Sequence, residues 1–290
     1  MQLQIANRQN TKIKLALQGP SGSGKTYSSL LLAYGLRNNW SKIAVIDTEN
    51  HSAELYAHLG SFQVLHLTAP YTPERFVQAI AACEKAGAEV IIIDSISHEW
   101  DGAGGILSIH SAMTGNSYTN WAKVTSRHNA FVQAILQSPV HVVCTIRTKQ
   151  EYVLTEKNGK QVPEKIGLKG ITRDGMDYEF TLLFQLDMHN CASASKDRTG
   201  LFMHKPSFVI TSDTGKQLVE WCNPLNETAL KQQISQCGTL RALSDLYNAY
   251  PTLQAVLLGD FQQRRKQLET GFHHNNAAIN SHSYTGNTFH

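Results

Sequence analysis

The chain is poor in cysteine and proline and has no long apolar run. Its 290 residues include five cysteines (Cys83, Cys144, Cys191, Cys222, Cys237), set far apart and without a C-x-x-C pair. That spacing excludes a disulfide framework and a cysteine-based zinc site, and fits reduced thiols in a cytoplasmic protein. The longest apolar stretches are four to six residues, too short to cross a bilayer, so no membrane span is expected. The polar start, MQLQIANRQN, lacks the apolar segment of a secretion signal. Charge of either sign is scarce as well. The formal net charge is +3, which neither demands nor excludes a nucleic-acid partner.

What is present is 41% hydrophobic residues, enough for one large domain and a small appendage. Lys12–Gln18, Lys42–Ile46, Gln63–Leu67, Glu89–Ser95 and Val140–Ile146 read as short strands. Thr26–Arg37, Pro73–Ala86 and Trp121–Gln137 read as helices between them, with Thr72 and Pro73 as cap and first residue of the second. Strands without alternation, separated by helices, argue for a parallel sheet covered on both faces. Further on, Tyr178–Met188, Gly200–Lys205 and Phe208–Ile210 read as strands without intervening helices. An α/β core with a mostly parallel sheet, extended by antiparallel strands, is therefore expected over 1–223. A small helical region is expected over 224–270, broken at Tyr250-Pro251, and a disordered polar tail over 271–290. The tail's four histidines (His273, His274, His282, His290) are metal-ligand types, though a solvated tail is much the better account of them.

The strongest motif is Gly19-Pro20-Ser21-Gly22-Ser23-Gly24-Lys25-Thr26, which fits G-x-x-x-x-G-K-[ST] with a strand before it and a helix after it. Its glycines allow a nest of backbone N–H groups, and the helix start adds positive potential. Lys25 is placed to reach β- and γ-phosphates, and the Thr26 hydroxyl to ligate Mg²⁺. Tyr27, next in the chain, joins the set of expected nucleotide contacts. Val90-Ile91-Ile92-Ile93-Asp94 delivers a carboxylate from a buried strand, the usual second half of such a site, so Asp94 is the second expected Mg²⁺ residue. ATP with Mg²⁺ is the ligand this pattern predicts.

The strand ending in Asp47-Thr48-Glu49 poses a question, because ligands in parallel sheets sit beyond the carboxyl ends of strands. Glu49 would emerge beside Lys25 and Asp94, placed to polarise a water that attacks the γ-phosphate. An alternative stays open: Asp47 or Glu49 caps the next helix or pairs with a lysine. Val142-Val143-Cys144-Thr145-Ile146-Arg147 forms a later strand whose end should face the same phosphate. Thr145 there would bond water or phosphate, and Arg147 would sense the nucleotide.

The stretch VIDTENHSAELYAHLG, with the order of phosphate loop, Glu-bearing strand, Ile-Ile-Ile-Asp-Ser strand and Thr-x-Arg strand, resembles the RecA-type recombinases. Within that superfamily the chain looks most like compact ATP-binding proteins of phages and mobile elements. Part of that group is associated with single-strand DNA annealing or recombination. The resemblance implies a RecA-like P-loop NTPase core, Glu49 as the catalytic carboxylate, and Tyr56 stacking on adenine. It implies a homo-oligomer, ring or filament, with ATP at the subunit boundary. Lys196 and Arg198 would then reach a neighbour's γ-phosphate, although a solvated turn with Asp197 neutralising one of them fits as well. Partners implied are single-stranded DNA and other phage recombination or replication proteins.

By the same resemblance, His98–Asn120 and Thr148–Ile171 are loops facing DNA. The second sets Lys149, Lys157, Lys160, Lys165 and Lys169 against Glu151, Glu156 and Glu164, with Tyr152 as its aromatic and Asn158-Gly159 as a hairpin tip. A solvated hairpin is the plainer reading. The rival functions are an ATP-gated regulatory or defence oligomer without nucleic acid, a small-molecule P-loop kinase, and a translocating helicase.

Overall fold

A computed structural model describes residues 8, 11–157, 160–223, 227–250, 253–254 and 256–280. The chain divides into two compact units, 1–223 and 224–290.

In the first unit, β1 (Lys14–Gly19), β2 (Ile43–Asp47), β3 (Gln63–His66), β4 (Val90–Asp94) and β5 (His141–Lys157) form the parallel heart of a sheet. β6 (Lys160–Gly170) pairs with β5, and β7 (Leu182–Leu186), β8 (Cys191–Asp197) and β9 (Phe208–Val209) complete it. The strand order is β3-β2-β4-β5-β1-β7-β8-β9. β7 continues the parallel set beside β1, while β8 and β9 are antiparallel additions. The strand bearing Thr145 and Arg147 thus lies between the phosphate-loop strand and the Asp94 strand.

β1, β2 and β4 are buried along their whole length. This is why they carry apolar runs rather than alternation. Their side chains feed two cores, one on each face. The first collects Leu15, Leu17, Val45, Ile92 and Val143 with Leu30, Leu32 and Leu36 of α1 (Lys25–Arg37) and Leu218 of a later helix (Ser212–Cys222). The second collects Ile46, Ile91, Ile93 and Val142 with Phe76 and Ile80 of α2 (Pro73–Lys85) and Phe131 and Ile135 of a long helix (Ser117–Gln137). α1 and the Ser212–Cys222 helix approach through a glycine pair. A methyl on Gly35 would strike the Ser212 carbonyl, and one on Gly215 the Leu32 carbonyl.

Several expectations are revised. β5 does not stop at Ile146 but runs to Lys157, and β6 returns antiparallel, so the hairpin expected within 148–171 is a direct continuation of the strand that bears Thr145 and Arg147. The connection after β4 folds into α3 (Ser97–Asp101) and α4 (Ile106–Ser111). The next helix, α5, starts at Ser117 because the Asn116 side chain accepts from the N–H groups of Tyr118 and Thr119. The strand expected at Gly200–Lys205 is a turn. Asp197 accepts from the backbone N–H groups of Thr199, Gly200, Phe202 and Met203 and curls the chain around its carboxylate. The Ser212–Cys222 helix, α6, follows it.

Among the described residues the second unit holds three helices, α7 (Glu227–Gln236), α8 (Leu240–Ala249) and α9 (Leu258–Asn280), around Leu230, Ile234, Leu243, Leu257 and Phe261. α9 continues past Gly271 to Asn280, ten residues into the stretch expected to be a disordered tail. A single glycine costs a helix only about 1 kcal/mol relative to alanine and need not end it. Residues 281–290, with His282 and His290, lie outside the described residues.

Candidate functional site

The phosphate loop leaves β1 at Gly19 and enters α1 at Lys25. Gly24, the residue before the helix, has φ 77° and ψ 20°, a left-handed conformation that favours glycine, and no side chain caps the helix start. The free N–H groups of that first turn are a ready anion site. Lys25 Nζ folds back onto the Gly19 and Pro20 carbonyls at 2.9 and 2.8 Å. Burial lowers the pKa of its ammonium, against the opposing pull of Asp94 and Glu49.

Asp94 ends β4 beneath this loop and is 2% exposed. Thr26 donates to its Oδ2 at 2.6 Å, and Thr145 donates to its Oδ1. Burial pushes the Asp94 carboxyl upward while the two hydroxyl bonds oppose this, and the charges of Glu49 and Asp47 add to the rise. A buried carboxylate held by hydroxyls beside a phosphate loop suits a hard divalent cation, which takes oxygen ligands and would offset the burial cost.

The open alternative at the end of β2 is divided between its two acids. Asp47 takes the local structural role, accepting from Glu49 N at 2.6 Å and Ala53 N at 3.0 Å, and so organises the turn into the 3₁₀ helix Ser52–Leu59. Glu49 faces the cleft, and its partner is an arginine rather than a lysine. Arg147 donates Nε to Oε1 at 2.7 Å and Nη2 to Oε2, and Ser95 Oγ donates to Oε1 at 3.0 Å. Burial opposes ionisation of Glu49, but the Arg147 hydrogen bond and charge outweigh it and hold the carboxyl below its usual range.

Lys25, Thr26, Glu49, Asp94 and Arg147 line one cleft of about 480 Å³ with Ser21, Gly22, Ser52, Tyr56, Thr148 and Ile171. Tyr56 and Tyr27 stand together at 5.7 Å between ring centroids. Two cleft residues carried no signal in the sequence. Ser52 Oγ and Thr148 Oγ1 are buried and have no hydrogen-bond partner among the described residues. Buried hydroxyls are almost always satisfied, so a polar ligand in the cleft would complete them. A third unforeseen group is Thr48, whose hydroxyl takes the Ser95 N–H at 2.8 Å and lies 2.7 Å from His98 Nδ1. It ties the ends of β2 and β4 together. Only residue spacing, not composition, could have hinted at it.

Lys196 and Arg198 do not line this cleft. Both point to one carbonyl, Tyr178 O, and Lys196 also reaches Asp177 O at 3.0 Å. Asp197 between them is consumed by its own turn, so it does not neutralise either cation as the solvated-turn alternative required. The two DNA-loop candidates meet at a separate cleft of about 550 Å³, with Trp100 and Leu107 from one and Lys149 and Lys169 from the other. Lys169 is paired with Asp174 at 2.8 Å and faces Glu151 at 3.8 Å. Asn158 and Gly159, the expected hairpin tip, lie outside the described residues, as do the side chains of Tyr152, Lys157, Lys160 and Lys165.

A phosphate loop at a strand-to-helix junction, with a carboxylate delivered by a strand one place beyond the sensor strand, defines a P-loop NTPase core. The sequence matches the AAA domain family over residues 11–211, and the chain belongs to that family. No curated protein matches it. Among the described residues no helix is long and apolar enough to cross a membrane.

Proposed function

We propose that the protein binds ATP with Mg²⁺ in this cleft and hydrolyses it. In the same proposal it works as a RecA-like homo-oligomer acting on single-stranded DNA, in phage or mobile-element recombination or replication. The observation that carries the reading is the convergence of Lys25, Thr26, Glu49, Asp94, Thr145 and Arg147 from four adjacent strands, just after β1 and β2, at the end of β4 and within β5. Thr26 and Asp94 are the residues to hold Mg²⁺, which supplies charge neutralisation to the phosphates. Lys25 leaves the loop carbonyls for the phosphate oxygens. Glu49 accepts a proton from the attacking water once Arg147 has turned from it toward the incoming phosphate charge.

Two features support the further parts. Lys196 and Arg198, side by side and outside their own chain's cleft, suit a neighbour's phosphate. β5 carries Thr145 and Arg147 and runs without a break into the β5–β6 hairpin, so a displacement of Arg147 is passed along one strand toward Lys149. The rival, a regulatory or defence oligomer without nucleic acid, is favoured by one observation: Lys169 spends its charge on Asp174.

Steady-state ATP hydrolysis with and without long single-stranded DNA, at low and moderate salt, separates them. Stimulation that weakens with salt is expected. A rate indifferent to DNA would leave the nucleotide site standing and favour the rival.

A further inference from the structure

The turn between β2 and β3 holds a second cluster of ligand-type side chains, outside the phosphate cleft. His51 and Glu54 come from the start of the 3₁₀ helix, and His66 from the end of β3. Register places His66 beside Asp47, so the edge strand brings its imidazole next to the turn that follows Glu49. Asn50 and His51 both have positive φ, 52° and 65°. This uncommon conformation turns the His51 ring back over Glu54.

The result is a three-sided donor set. His51 Nδ1 lies 3.4 Å from Glu54 Oε1, and His66 Nε2 lies 3.0 Å from the same oxygen. The two rings are 3.9 Å apart between centroids, and all three donor atoms fall within 4.8 Å of one another. Zinc binds imidazole nitrogen and carboxylate oxygen at about 2.0–2.1 Å, which makes the edge of its coordination tetrahedron about 3.3 Å. The two measured edges already bracket that length.

We propose that His51, Glu54 and His66 form a binding site for a divalent transition metal of the zinc class. Two imidazoles and one carboxylate select such a metal over Mg²⁺ or Ca²⁺, which prefer all-oxygen sets. Three protein ligands leave a fourth position to water. His51 and Glu54 lie on the stretch joining Glu49 to Tyr56, both of which line the phosphate cleft, and His66 lies on another strand. A bound metal therefore clamps that stretch to the sheet edge.

The test is Zn²⁺ binding by the nucleotide-free full chain, measured in competition with a chromophoric chelator. Three proteins are compared: the wild type, a His51→Ala/His66→Ala variant, and a variant with His273, His274, His282 and His290 all replaced by alanine. The wild type and the four-histidine variant are expected to hold one equivalent that the His51→Ala/His66→Ala variant lacks. Glu54→Gln should weaken the same equivalent while keeping side-chain size. Equal stoichiometry in the wild type and the His51→Ala/His66→Ala variant overturns the site, as does loss of that equivalent on replacing the four C-terminal histidines.

Discussion

Arg147 grips both carboxylate oxygens of Glu49, one through Nε and the other through Nη2. The two residues are 98 positions apart; Glu49 follows the end of β2 and Arg147 lies within β5, strands that are not neighbours but flank β4. In the proposed mechanism the pair stands where a water would attack a γ-phosphate. While it lasts, the carboxylate's lone pairs are spent on the guanidinium.

Glu49→Gln removes the proton acceptor and keeps the shape. Nucleotide binding should persist, while turnover falls roughly 10²–10⁴-fold, the usual contribution of a positioned general base. Equilibrium binding of a fluorescent ATP analogue alongside single-turnover hydrolysis checks both halves. If affinity falls and turnover per bound ATP survives, Glu49 is not the base.

Arg147→Ala should release Glu49. The expected outcome is a higher DNA-independent rate and a smaller stimulation by DNA, because the idle state loses its lock. A basal rate that drops to that of Glu49→Gln would mean instead that the guanidinium acts mainly on the transferring phosphate. Comparing the two variants in one assay decides it.

Lys196 and Arg198 predict shared sites. A Lys196→Ala/Arg198→Ala protein and a Lys25→Ala protein should each be inactive, since removing such cations elsewhere costs about 10³–10⁵ in rate. Mixed together, the two should recover part of the activity, because some interfaces regain an intact loop and intact cations. Mixtures no better than the separate proteins would place both cations outside catalysis.

His141 predicts an acid-sensitive core. Its Nδ1 accepts the Ile13 N–H at 3.0 Å, so that nitrogen must stay unprotonated. Burial, with nearby Lys12, Lys14 and Arg37, lowers its pKa from 6.5 to about 3. The unfolded chain then binds the proton first, so stability is complete above about pH 6.5 and falls as the pH drops toward 3. Each pH unit inside that window costs about 1.4 kcal/mol. Unfolding midpoints in denaturant between pH 7 and 4 should fall less steeply for His141→Gln than for the wild type.

Much of the nucleotide site was legible along the chain because its parts are local. The phosphate loop is one unbroken stretch whose glycines, lysine and threonine do their work within a single turn. The buried strands announce themselves by apolar runs, and the carboxyl ends of β2 and β4 mark where Glu49 and Asp94 emerge. Tertiary structure decided everything that depends on which strand lies beside which. It gave Asp47 the turn and left Glu49 to Arg147. It curled 200–205 around Asp197 where a strand was expected, and carried β5 past Ile146 to Lys157. It also brought His66 to His51 and Glu54. In each case the deciding contact joins side chains or backbone groups whose pairing has no period and no motif, so only the folded sheet could select it.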